Sequence, residues 1–233
     1  TLDVEDLPTV VDATAAVAPG APLLVPEAGD NVCAEIRHGD AAAAERAFTD
    51  AAQVARISIV NQRLAPASIE PRTVLAQFDP EDGRLTVRLS SQMPTGVRDT
   101  LSTVLGLPKE SIRVLVGDVG GGFGMKTGLY PEDAVVAHAA KDLRRPVKWV
   151  ADRSEEQLSA VHGRDVLSDA EMAMDKDGRI LALRIRSLAN VGAYATGVGV
   201  AIQLLIGPWV TTSVYDIRTI DLKLTAVLTN TAP

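Results

Sequence analysis

The chain has 233 residues, of which 46% are hydrophobic, 23% charged and only 3% aromatic, so a sizeable core must come from Ala, Val, Leu and Ile. A formal net charge of −7 with no basic run argues against a nucleic-acid surface. A single cysteine, Cys33, excludes an intrachain disulfide and an iron–sulfur cluster, and His38, His138 and His162 lie far apart with no zinc-ligand spacing.

The start, Thr1 to Asp6, is acidic and polar, with no basic region leading into an apolar core. It does not read as a signal peptide, and a cytoplasmic location is expected. Pro8, Pro19, Pro22 and Pro26 keep residues 1–31 from forming a long helix, so an extended connector is expected, with Val10-Val11-Asp12 as a candidate short strand. Gly39-Asp40 and the alanines that follow read as an N-capped helix to about Phe48. Alternation from Gln53 to Val60 predicts a strand. Residues 73–78 and 84–90 flank Asp79-Pro80-Glu81-Asp82-Gly83, a hairpin signal.

Val97, Leu101, Val104 and Leu105 fall on one face of a helix that should stop at Gly106 and Pro108. A strand over 112–116, a glycine loop and a helix from Pro131 to about Lys141 follow, with Glu132 and Asp133 well placed for the macrodipole. Further strands are expected over 146–150, 166–174, 180–188 and 217–228. The uncharged stretch 187–215 is broken by glycines and Pro208, and its most apolar part, 198–206, is too short to span a bilayer. A buried segment is expected there, and no membrane span. Strands and helices mix without strict alternation, which is the α+β class: mixed sheets with packed helices. Both ends lack a capping signal or polar tail and read as cuts in a longer polypeptide.

The segment Gly120-Gly121-Gly122-Phe123-Gly124-Met125-Lys126 stands out. Such a stretch can adopt positive φ and lay its N–H groups against an anionic ligand. It fits neither common fingerprint: Met125, not Gly, precedes Lys126, and Gly-x-Gly-x-x-Gly fails from either starting glycine. A phosphate cradle and a bare flexible turn both stay open from this segment alone.

Its neighbours carry a resemblance. Ser91-Gln92 after a strand, Leu105-Gly106-Leu107-Pro108, Asp118-Val119 leading into the loop, and Arg145-Pro146-Val147-Lys148-Trp149 with Asp152-Arg153 come in order. Gly163-Arg164-Asp165, Asn190-Val191-Gly192-Ala193-Tyr194 and Thr229-Asn230-Thr231 follow. Over 53–233 the chain resembles the molybdenum-binding large subunit of the xanthine dehydrogenase, aldehyde oxidase and carbon monoxide dehydrogenase family. The resemblance implies that residues 1–50 are a connector and the tail of a preceding domain, and 51–233 the first molybdopterin-binding domain, part of the molybdopterin-binding region of a larger subunit.

It also implies roles. Gly120, Gly121, Gly122, Phe123 and Gly124 would lie against a molybdopterin cofactor, in bacteria often its cytosine dinucleotide form. Gln92 would donate to an oxygen on molybdenum, with no direct protein ligand to the metal. Lys126 would contact cofactor phosphate or be solvated. Without the resemblance, Gln92 reads as a polar strand end and Phe123 as a core aromatic. Arg153, Arg164 and Asp165 read as a structural ion-pair network, and Asn190 and Tyr194 as structural. Purine-oxidising members carry a glutamate where Thr127 stands, near the substrate, so xanthine is a poor substrate guess. The family's catalytic glutamate lies beyond the sequence given, so the base is not in this chain.

The implied partners are the remainder of the large subunit, an iron–sulfur small subunit, an FAD subunit and a small-molecule substrate. The competing class is a non-catalytic nucleotide-binding or assembly module that has kept the fold.

Overall fold

The computed structural model describes residues 3–233; Thr1 and Leu2, the first of the acidic start, lie outside the described residues. The strands are β1 (Val32–Gly39), β2 (Gln53–Asn61), β3 (Thr73–Asp79), β4 (Arg84–Leu89), β5 (Ile112–Leu115), β6 (Val147–Val150), β7 (Val166–Met174), β8 (Ile180–Asn190) and β9 (Ile220–Val227). Helices comprise α1 (Ala13–Ala16), α2 (Ala41–Asp50), α3 (Pro94–Leu105), α4 (Pro131–Leu143) and α5 (Arg153–Ser159), and a helical stretch follows from Gly197 to Val210. The expected α+β mixture is present. The chain divides into two compact units: Ala65–His162, and the residues up to Leu64 together with Gly163–Pro233.

The unit Ala65–His162 holds a four-stranded sheet in the order β5-β4-β3-β6. β3 runs antiparallel to β4 and β6, while β4 and β5 run parallel. Period-2 alternation puts Val74, Ala76, Leu85, Val87 and Leu89 on one face, where α3 brings Val97 and Leu101 and α4 brings Val136, Ala137 and Ala140. Each such valine or leucine contributes about 1.5–3 kcal/mol by leaving water. Val104, expected on the same face, is 58% exposed. Each i+4 step advances the stripe around the helix, so the buried line runs Val97–Leu101–Leu105 and Val104 falls on its solvent flank. Gly106 ends α3 with φ 64, as its position predicts.

The other unit holds a five-stranded sheet in the order β1-β9-β8-β7-β2, antiparallel except between β8 and β9. Asp40 caps α2 by accepting the Ala43 N–H at 2.9 Å, and Ala44 packs on Ala173 and Ala182.

Four elements differ from expectation. Val10-Val11-Asp12 is not a strand: Asp12 accepts the Ala15 N–H at 2.7 Å and caps α1. β1 and α5 were not foreseen, although Val32, Ala34 and Ile36 alternate with exposed residues and Asp152 accepts the Glu155 N–H as a cap. The stretch expected to be buried is largely exposed. From Val198 to Val210 only Leu204 and Pro208 are buried among the described residues, while Trp209 is 76% exposed, because helical geometry turns one narrow face inward. Among the described residues no helix is long and apolar enough to cross a membrane.

Candidate functional site

Topology gathers three segments at one edge of the four-stranded sheet. Because β4 and β5 are parallel, the residues after each, 90–93 and 116–124, leave at the same end. The antiparallel β3 begins at that end, which brings residues 68–72 there as well. Ligands of open α/β sheets bind beyond the carboxyl ends of such strands.

The residues singled out in sequence meet here. The Gln92 N–H donates to the Lys126 carbonyl at 2.8 Å. In return the Gln92 Oε1 accepts the N–H groups of Gly124 at 3.1 Å and Lys126 at 3.2 Å. Buried Ser91 donates its hydroxyl to the Lys126 carbonyl at 3.3 Å. With Oε1 held by two backbone donors, the amide orientation is fixed. Gln92 is exposed, and its Nε2 makes no hydrogen bond among the described residues.

The glycines have separate reasons. Gly121, Phe123 and Gly124 have positive φ, but Gly120 and Gly122 do not. A Cβ on Gly122 would come within 2.6 Å of the Gln92 Cδ and 2.9 Å of its Cγ, and one on Gly120 would fall on the Glu70 Cβ. Those two positions are bare so that neighbouring side chains can lie against the backbone.

Phe123 is not a core aromatic. It is 76% exposed with φ 51, a strained setting of the kind found at functional loops. The N–H groups of Gly121, Gly122 and Phe123 donate to no partner among the described residues. These three consecutive donors, with the Gln92 amide, form a set suited to an anionic or oxygen-rich ligand.

Lys126 is not solvated: it is 2% exposed, and its Nζ donates to the Glu70 carbonyl at 2.8 Å and to Glu70 Oε2 at 3.0 Å. The Thr127 hydroxyl donates to the Gly124 carbonyl at 2.8 Å, closing a local turn. Tyr130 fastens the loop's exit by donating to the Met125 carbonyl at 2.7 Å, and its phenol is pushed up to about 12 by burial. The Arg72 guanidinium stacks on the Tyr130 ring at 3.8 Å.

Beside it, Asp133 accepts the Tyr130 N–H at 3.0 Å, and burial pushes its carboxyl up to about 6. A raised carboxyl pKa is a cost in the folded state that is absent below the unfolded value near 4 and complete above the folded value near 6. Asp133→Asn keeps the acceptor and removes that cost. Relative to wild type it should gain roughly 2.5 kcal/mol on going from pH 4 to pH 8. Urea unfolding at the two pH values checks this, and an equal difference at both would refute it.

Other singled-out residues lie in the second unit. Asp165 accepts from Arg63 Nε at 2.8 Å and Asn190 Nδ2 at 2.9 Å, and Asn190 Oδ1 accepts from the Thr229 hydroxyl at 2.7 Å. Asp165 is thus in an ion pair with Arg63, while Arg164 is exposed with φ 71; in the unit Ala65–His162, Arg153 donates to the Ile69 carbonyl at 3.1 Å. Tyr194 is 57% exposed. A cavity of about 540 Å³ in this unit is lined in part by Arg186 and Lys223. Their charges are already paired with Asp221 and Glu35, leaving little for a ligand. Among the described residues no group of three or more His, Cys, Asp or Glu is placed to hold a metal. Glu70, Arg72 and Tyr130 went unnoticed in sequence; Glu70-Pro71-Arg72, charges around a chain breaker before a strand, was the available signal.

A molybdopterin cofactor-binding domain family model matches residues 24–233. The carbon monoxide dehydrogenase large chain of Hydrogenophaga pseudoflava is 35% identical over 205 residues, covering 83% of this chain and 26% of that one. The nicotine 6-hydroxylase large subunit of Paenarthrobacter nicotinovorans is 34% identical over 236 residues, 100% of this chain and 28% of its own. The crystal structure of quinoline 2-oxidoreductase from Pseudomonas putida 86 superposes with a TM-score of 0.90 at 32% identity, covering 98% of this chain and 29% of that one. The chain belongs to the molybdopterin-binding family of molybdenum hydroxylase large subunits. It spans 26–29% of the length of these relatives.

Proposed function

We propose that this chain forms one wall of a molybdopterin site in a molybdenum hydroxylase, and that the whole enzyme oxidises an aldehyde, an N-heterocycle or carbon monoxide. The observation that carries this reading is the donor set: Gln92 Nε2 and three successive loop N–H groups without partners among the described residues, on backbone kept bare. These residues fit the group. Molybdopterin brings its own dithiolene and phosphates, so it asks the protein for donors and close backbone approach, not for metal ligands. When bound it supplies two-electron oxidation of the substrate carbon with oxygen from water. Gly121, Gly122 and Phe123 would bind it through their N–H groups. The Gln92 amide, locked by Gly124 and Lys126, would present a fixed donor to its metal end. Lys126 serves the site by holding the loop from below.

Relatives named for carbon monoxide, nicotine and quinoline support carbon monoxide or an N-heterocycle as substrate. Thr127 has no charge, so in this reading it would supply no carboxylate to orient a purine. A cytosine dinucleotide form of the cofactor, iron–sulfur and FAD partner subunits, and a base supplied from outside this chain complete the proposal. The test is turnover with aldehydes, N-heterocycles and carbon monoxide and a dye acceptor. The intact, metal-analysed enzyme should oxidise one of these classes and this chain alone none. Activity of the isolated chain above a buffer blank would overturn the one-wall reading.

A further inference from the structure

We propose that Glu70 is a positioning residue for the Gln92 donor, acting through Lys126. The proposal rests on the cofactor reading above. Glu70 grips both ends of the glycine loop at once. Its N–H donates to the Gly120 carbonyl at 3.1 Å, and its Oε2 accepts the Gly120 N–H at 2.8 Å. The same Oε2 and the Glu70 carbonyl accept from Lys126 Nζ, at 3.0 and 2.8 Å.

Lys126 in turn is the residue that holds Gln92, through its N–H to Oε1 and its carbonyl to the Gln92 N–H. One carboxylate therefore sets the span of the loop and, through the lysine backbone, the direction of the Gln92 amide. The lysine side chain is 1% exposed and its carboxylate partner 31%. Among the described residues Glu70 is the only acidic partner of Lys126. A buried ammonium that loses its counter-charge is driven to move, and here its movement carries the backbone that holds Gln92. Gly120 fits the same arrangement, since any Cβ there would displace Glu70.

The experiment uses the intact, cofactor-loaded enzyme with Glu70→Gln, Glu70→Ala and the double variant Glu70→Ala/Lys126→Met. The double variant removes both charges, so a stranded ammonium cannot account for its behaviour. Three quantities are read: molybdenum per subunit, the rate of reduction by substrate per bound molybdenum, and hydrogen exchange of the amides of residues 120–126. Glu70→Ala and the double variant should lose about tenfold to a hundredfold in rate per molybdenum. Their loop amides should exchange about tenfold faster or more, while β3 and β4 keep their protection. Glu70→Gln, which keeps acceptors for Gly120 and Lys126, should fall between them and wild type.

Wild-type rate per molybdenum and wild-type loop protection in the double variant would overturn the assignment. If wild type carries no molybdenum, the cofactor reading falls and this assignment with it. If wild type is loaded and Gln92→Ala is slow while the Glu70 variants match wild type, only the role of Glu70 is refuted.

Discussion

Gln92→Ala in the intact enzyme is expected to slow the chemical step by roughly tenfold to a few hundredfold per bound molybdenum. One oriented donor to a charged acceptor is worth about 1.5–3 kcal/mol, and each 1.4 kcal/mol or so is a factor of ten in rate. The amide does two things, however. Its Oε1 receives the N–H groups of Gly124 and Lys126, so truncation also loosens the loop and should lower molybdenum content. Gln92→Glu separates the effects, because a carboxylate still accepts both N–H groups but offers no donor outward. Its loop should stay intact while the rate per molybdenum falls as in the alanine variant. Rapid reduction kinetics normalised to metal content measure this, and an unchanged rate in both variants would place Gln92 outside the site.

Gly122→Val should lose most of its molybdenum with only modest loss of stability. The reason is not backbone strain, since Gly122 lies outside the left-handed region. A Cβ there would strike Gln92 along its length, within 2.9 Å of Cγ as well as at the amide, so rotating the far end does not relieve the contact. The side chain must leave, taking two hydrogen bonds worth about 0.5–1.5 kcal/mol each. It also disarranges the three N–H groups beside it. Adding Gln92→Ala to Gly122→Val should then cost little more, because both substitutions remove the same contact and residues in contact do not add. Full metal occupancy in the valine variant, with a lowered melting temperature, would be the behaviour of a plain surface turn.

Elements with strong local signals were legible in the sequence. The hairpin around Asp79–Gly83, the stop at Gly106 and the Asp40-capped helix needed only turn and capping chemistry. β1 was missed because its inward residues include a small alanine and its neighbours are charged, so the alternation is weak. The glycine loop and Gln92 could be named from the chain, but not the reasons for them. Gly122 is bare for a side chain 30 positions earlier, and Lys126 is buried against a glutamate 56 positions away. Such facts depend on three segments meeting at one sheet edge, which no local pattern encodes. The largely exposed helical stretch 198–210 shows the same limit, because apolar composition does not say whether a partner surface exists to cover it.

An experimental structure of the intact enzyme with its cofactor bound tests the central claim most directly. The N–H groups of Gly121, Gly122 and Phe123 and the Nε2 of Gln92 are expected to hydrogen-bond the cofactor, with Gln92 Oε1 still on Gly124 and Lys126. A cofactor seated elsewhere, with these four donors facing water, would contradict it.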